Sequence, residues 1–96
     1  MIQHTVVLKL KYPKGSPEEK EFLSAAAKLK SIPGVHNFQS LRQIGKKNDF
    51  DYGLSMEFLN MAAYEVYNAH PDHTRFVKTY WVKCVEKFLE IDYEPI

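Results

Sequence analysis

The amino-acid sequence predicts an α+β fold of order βαββαβ, in which four antiparallel strands form one sheet and the helices lie on a single face of it. Three observations carry that prediction. Apolar and polar residues alternate with a period of two near the start and the middle of the chain, which marks half-buried strands. Ser16-Pro17-Glu18-Glu19 opens a helix with a cap, a proline at the first helical position and a glutamate three residues on. Pro71 opens a second helical stretch, and an apolar-rich segment follows it as a last strand.

From Ile2 to Lys11 the even positions His4, Val6, Leu8 and Leu10 form the apolar side of the first strand. Gln3, Thr5, Lys9 and Lys11 form the polar side, with Val7 as the exception. Tyr12-Pro13-Lys14-Gly15 ends the strand, because proline removes a ladder donor and glycine favours a turn. In the first helix Phe22, Leu23, Ala26 and Leu29 make one apolar stripe, and Ile32-Pro33-Gly34 stops it. A second strand runs from Val35 to Ile44, and Gly45-Lys46-Lys47-Asn48-Asp49 reads as the hairpin turn after it. Tyr52, Leu54, Met56 and Phe58 alternate with Asp51, Gly53, Ser55 and Glu57 as the third strand. Asn60 caps a short helix with Ala63, Tyr64 and Tyr67 on one face. The stretch after Pro71 carries Phe76, Val77, Tyr80, Trp81 and Cys84, and the final strand spans Phe88 to Tyr93.

With right-handed crossovers, this order gives a ferredoxin-like four-stranded antiparallel sheet. Helices on one face leave the other bare, and a second copy packing sheet to sheet would cover it. A homodimer is therefore expected, with the more polar side of the strands, Val7 included, at the contact.

At 96 residues there is room for one core, so residues 1–96 read as a single domain. Hydrophobic residues make up 45% and charged residues 26%, which excludes disorder and fibrous repeats. The apolar runs are too short for a membrane span and the first residues lack a leader pattern, so a cytoplasmic protein is expected. Cys84 is the single cysteine and reads as a buried core thiol. Residues 1–50 carry nine basic and four acidic groups and residues 51–96 carry four and eight, giving +5 and −4. Neither half clusters its cations as a phosphate-binding surface requires. Phe50-Asp51-Tyr52-Gly53-Leu54 faintly echoes an RNA-stacking strand, but Asp51 and Glu57 would put negative charge where the RNA lies, so no nucleic-acid partner is expected.

Three segments together resemble the stress-responsive A/B barrel family of dimeric α/β barrels. They are Ile2-Gln3-His4-Thr5-Val6-Val7-Leu8-Lys9-Leu10, Ile32-Pro33-Gly34-Val35 and Tyr67-Asn68-Ala69-His70-Pro71-Asp72-His73. The most specific is the His-Pro-x-His run after an aromatic helix, in register with a histidine on the first strand. The resemblance implies a homodimer that closes into a dimeric α/β barrel. One plant member is an aldol-type polyketide cyclase, and related barrels include cofactor-independent monooxygenases of aromatic polyketides. By similarity to that cyclase, Tyr67 and His73 stand at its catalytic tyrosine and histidine, and His4 at a pocket histidine. Two positions depart from it: a helix-one tyrosine is replaced by Ala25, and a third-strand histidine by Tyr52. The resemblance thus extends to a pocket and not to a shared substrate.

His73 has the intrinsic pKa for general acid–base work near neutral pH, and Tyr67 lies six residues earlier across the helix break. As base, His73 could remove a proton alpha to a carbonyl while the Tyr67 hydroxyl stabilises the enolate oxygen. The structural alternative makes Tyr67 a core aromatic and His73 a polar residue of the first helical turn. The phase of the first strand turns His4 toward the helices. With it, Val6, Leu8, Phe22, Tyr52, Leu54, Phe76 and Tyr80 are the expected pocket lining, which suits a small apolar or aromatic ligand. His70, directly before Pro71, reads as a helix cap. His70 and His73 lack a clear third ligand, an HExxH pattern or a cysteine pair, so no metal is expected. The absence of a glycine-rich phosphate loop predicts no cofactor. Two functions remain open: an enzyme acting on a small aromatic or polyketide-like compound, and a non-catalytic stress-response or ligand-binding homodimer.

Overall fold

Alternation along the strands determines what each face of the sheet presents. The computed structural model describes residues 1–96. The strands are β1 (Ile2–Leu10), β2 (His36–Arg42), β3 (Tyr52–Phe58) and β4 (Val85–Tyr93), hydrogen-bonded in the order β2-β3-β1-β4 and antiparallel throughout. In β1, His4, Val6, Leu8 and Leu10 are all buried under the helices, as their phase requires. The register opposes His4 to Met56 and Val6 to Leu54 on one side, and to Asp92 and Glu90 on the other. The fold is ferredoxin-like.

Helix α1 (Pro17–Ala27) starts where the Ser16 hydroxyl accepts the Glu19 N–H at 3.2 Å. The Glu19 carboxylate turns back to accept the Gly15 N–H at 2.9 Å, one residue beyond the usual box partner. Gly15 has φ +83 and Gly34 has φ +91, so both turns use the left-handed region that glycine enters without strain. Helix α2 (Met61–Ala69) is capped by Asn60, whose side chain accepts the Ala63 N–H at 2.9 Å. His70 then caps α3 (Pro71–Phe76) by accepting the Asp72 N–H at 3.1 Å. The rod continues through a π-helical segment (Val77–Trp81) into a last turn, α4 (Val82–Cys84).

Two boundaries differ from the sequence reading. The final strand begins at Val85, three residues earlier than Phe88, because Val85 already pairs with Leu10. Strand β2 is shorter than 35–44 and bulged between His36 and Gln39, with Asn37 at φ +49. One continuous core holds the layers together: Phe22, Leu8, Phe58 and Met56 are almost completely buried between helices and sheet. Burying each such side chain contributes about 1.5–3 kcal/mol. Cys84 is buried in this core, and burial pushes its thiol pKa up.

The opposite face of the sheet carries no helix. Leu41, Leu89, Ile91 and Tyr93 project from it and are each 39–53% exposed. That face is thus more apolar along β4 than the alternation of β1 suggested. No helix is long and apolar enough to cross a membrane.

Candidate functional site

A cavity of about 310 Å³ lies between the rod of residues 71–84 and the β1–β4 half of the sheet. It exists because the helices cover β3 and β1 but stop short of the edge strand β4. Phe88 shows this: it faces the helical side yet stays half-exposed, leaning edge-on against Trp81 at 5.3 Å between ring centres.

Tyr67 comes from the last turns of α2 and His73 from the first turn of α3, and the break at His70-Pro71 folds one ring against the other at 4.6 Å. The His73 Nδ1 lies 3.1 Å from the Asn68 carbonyl. A carbonyl can only accept, so Nδ1 carries the proton and Nε2 keeps a free lone pair. Burial lowers the His73 pKa from the ordinary 6.5, opposed by the hydrogen bond to Asn68. The imidazole is therefore neutral at pH 7. Tyr67 is 2% exposed, and burial raises its hydroxyl pKa far above the physiological range, so it remains an O–H donor. That hydroxyl makes no hydrogen bond within the chain, while every sealed side-chain nitrogen and oxygen has a partner. It is the unengaged donor beside the His73 ring.

On the other side of Tyr67, at 6.2 Å between ring centres, lies His4. The strand register carries Asp92 to it: Nδ1 of His4 is 2.5 Å from the Asp92 carboxylate and 3.1 Å from the Tyr64 hydroxyl. The Tyr64 hydroxyl donates to Glu90 at 3.0 Å. Burial and the Glu90 carboxylate raise the Tyr64 pKa, against a hydrogen bond from Asn68. With Nδ1 committed to Asp92, His4 is held in one orientation by a carboxylate.

His4, Val6, Leu54 and Phe76 line the cavity together with Tyr67 and His73. Leu8 and Phe22 do not, because both are packed solid in the core. Tyr52 sits at the far end of the sheet beside Glu19; burial and then that carboxylate push its pKa up to about 12. Tyr80 faces a separate groove with Ala25, Lys28 and Arg75. Trp81, one of the helical aromatics that could wall a cavity, is in the lining; Leu29, Met56, Asn68, Val77, Phe88 and Glu90, which sequence reasoning did not place there, complete it. His73, Val77 and Trp81 follow one another at four-residue spacing along one helical face, and the contribution of Asn68 to fixing His73 is its backbone carbonyl.

For a cation, one group of side chains converges: His4, Glu90 and Asp92 have ligand atoms within 4.8 Å of one another. The nitrogen that a metal would take there is the Nδ1 that donates to Asp92, so metal binding would displace that proton. His70 spends its Nδ1 on the helix cap.

The profile of the stress responsive A/B barrel domain matches residues 2–95. Among solved structures, a Mesorhizobium loti protein of this family with a ferredoxin-like fold is 56% identical, with a TM-score of 0.97 over 99% of this chain and 96% of that one. A dimeric Bacteroides fragilis protein of unknown function is 20% identical, with a TM-score of 0.75 over 98% and 95%. A hydroxynitrile lyase from Passiflora edulis is 17% identical, with a TM-score of 0.83 over 96% and 90%. At those last two identities the likeness is one of fold. No curated protein matches the chain.

Proposed function

This chain belongs to the stress responsive A/B barrel domain family, and from that premise we propose that it is a cofactor-independent acid–base enzyme for a small aromatic or polyketide-like carbonyl compound. The observation that carries the reading is the pairing, at one cavity, of a neutral His73 with a free Nε2 and a Tyr67 hydroxyl with no partner. The His73 Nε2 takes a proton alpha to the ligand carbonyl, giving imidazolium and enolate. The Tyr67 O–H donates to the enolate oxygen; the turn is completed when the imidazolium returns its proton to the alpha carbon, or when that carbon attacks a second carbonyl of the ligand and the resulting alkoxide takes the proton. The cavity walls are mainly apolar and of a size that suits one ring with a short substituent. That the same fold carries a lyase in Passiflora edulis agrees with catalysis on this scaffold.

In the same reading the protein is a cytoplasmic homodimer. Leu41, Leu89, Ile91 and Tyr93 on the helix-free face supply the apolar surface that a second copy would cover, and the Bacteroides fragilis relative is dimeric. A ligand-binding dimer without catalysis would use the same cavity and would not need the lone pair of His73.

Exchange of the methyl protons of acetophenone in D2O, followed by NMR, tests the chemistry without knowledge of the natural substrate. The protein accelerates exchange over buffer; His73→Ala lowers that acceleration by about 100-fold or more, and Tyr67→Phe by about 100-fold. Acceleration that survives His73→Ala removes the base assignment, and no acceleration at all favours the non-catalytic binder.

A further inference from the structure

The charge lining the cavity has one sign. Glu90 lines it directly, and Asp92 stands next to it on the same face of β4, beside His4. Both carboxylates are anchored by buried partners: Glu90 accepts the Tyr64 hydroxyl at 3.0 Å and Asp92 accepts the His4 Nδ1–H at 2.5 Å. These bonds fix the carboxylates at the cavity mouth, where the side chains of Glu90 and Asp92 remain 46% and 35% exposed. No lysine or arginine lines the cavity. Lys87 pairs with Asp49 and Arg75 with Asp72, both outside the cavity lining. The remaining walls, from Val6 and Leu54 to Phe76, Val77, Trp81 and Phe88, are apolar and lower the local dielectric, so a fixed charge acts more strongly on a guest there than in water.

We infer that Glu90 and Asp92 form a charge filter that admits uncharged aromatic carbonyl compounds and rejects aromatic carboxylates. The inference rests on the proposal that the cavity binds a ligand, and it names the class: a flat ring bearing a neutral ketone, aldehyde or ester. A ligand carboxylate would be desolvated by the apolar walls and would meet two carboxylates with no cation in compensation. A neutral carbonyl needs only a donor, and Tyr67 supplies one. Specificity would thus come from repulsion of the wrong partner as much as from contacts with the right one.

Trp81 is the only tryptophan of the chain and lies in the cavity wall, so its indole N–H resonance reports occupancy without ambiguity. Acetophenone and benzoate have the same ring and nearly the same shape, differing in a methyl group against an oxyanion. In the native protein acetophenone shifts the indole resonance at a concentration at least tenfold lower than benzoate does. In Glu90→Gln/Asp92→Asn the amides keep their acceptor oxygens for Tyr64 and His4, and the preference falls by about tenfold. Equal response to the two compounds in the native protein overturns the filter, as does a preference that the double variant leaves unchanged. No shift with either compound up to its solubility overturns the filter together with the binding site. If the preference holds while deuterium exchange is indifferent to His73, the filter stands and only the catalytic reading fails.

Discussion

His73 and His4 are both first-strand or first-turn histidines in sequence terms, yet their surroundings prepare them for different work. His73 gives its Nδ1 proton to a neutral carbonyl, and its burial disfavours the charged ring, so Nε2 is left with a free lone pair. His4 gives its Nδ1 proton to a carboxylate, which fixes the orientation of the ring beside the cavity. Alternation alone was enough to send His4, Val6 and Leu54 to the helical side of the sheet, whereas the pairing of Tyr67 with His73 came from the family resemblance together with their spacing across the His70-Pro71 break. Leu8, Phe22 and Tyr52 satisfy the same alternation or helical stripe, but they sit where the layers are closely packed. Facing inward is a property of phase, whereas lining a cavity depends on what fails to cover it. Glu90 and Asp92 were illegible for a different reason. In β4 the apolar residues Leu89, Ile91 and Tyr93 alternate with the charged ones, so period alone favours burial of the apolar set. The register with β1 reverses this, sending the charged set toward the helices and the apolar set to the bare face.

Among the elements, those bounded by chemical punctuation were the most legible. Ser16, Asn60 and His70 each cap the helix that the sequence assigns to them, and Pro17 and Pro71 each stand at a first helical position. Ser16→Ala removes the acceptor of the Glu19 N–H and should lower unfolding stability by about 1 kcal/mol, measured by urea denaturation. A loss below a few tenths would mean that the Glu19 bond to Gly15 holds the turn by itself. The π segment is the element that the sequence conceals. One extra residue in a turn leaves no composition signal, and the helical period continues on both sides of it. Val77 and Trp81 bound it, four apart as on any helical face; both line the cavity, and Trp81 meets Phe88 from the edge strand.

For the whole molecule, the order βαββαβ and the sheet order β2-β3-β1-β4 leave one face covered and one bare. The covered face holds the cavity and the bare face carries the apolar patch to which we assign the proposed dimer contact, so the pleat separates the two. Ile91→Lys places a charge in the middle of the apolar patch without touching the cavity face. It should convert a dimer into a monomer by sedimentation at micromolar concentration, and an unchanged dimer would put the contact elsewhere. That the chain folds as a ferredoxin-like layer was readable from period and punctuation. That its helices stop short of β4, and so open a cavity beside His4, Tyr67 and His73, follows from tertiary packing that no local pattern encodes. The central claim is that the folded molecule presents His73 as a neutral base to a carbonyl ligand. The pH dependence of acetophenone exchange tests it most directly. Because burial depresses the His73 pKa, the rate should rise as the imidazole loses its proton, with its midpoint below 6.5, and then stay flat through neutral pH while Tyr67 keeps its proton. A rate indistinguishable from buffer, or one still climbing between about pH 7 and 9 as hydroxide catalysis would, would contradict it.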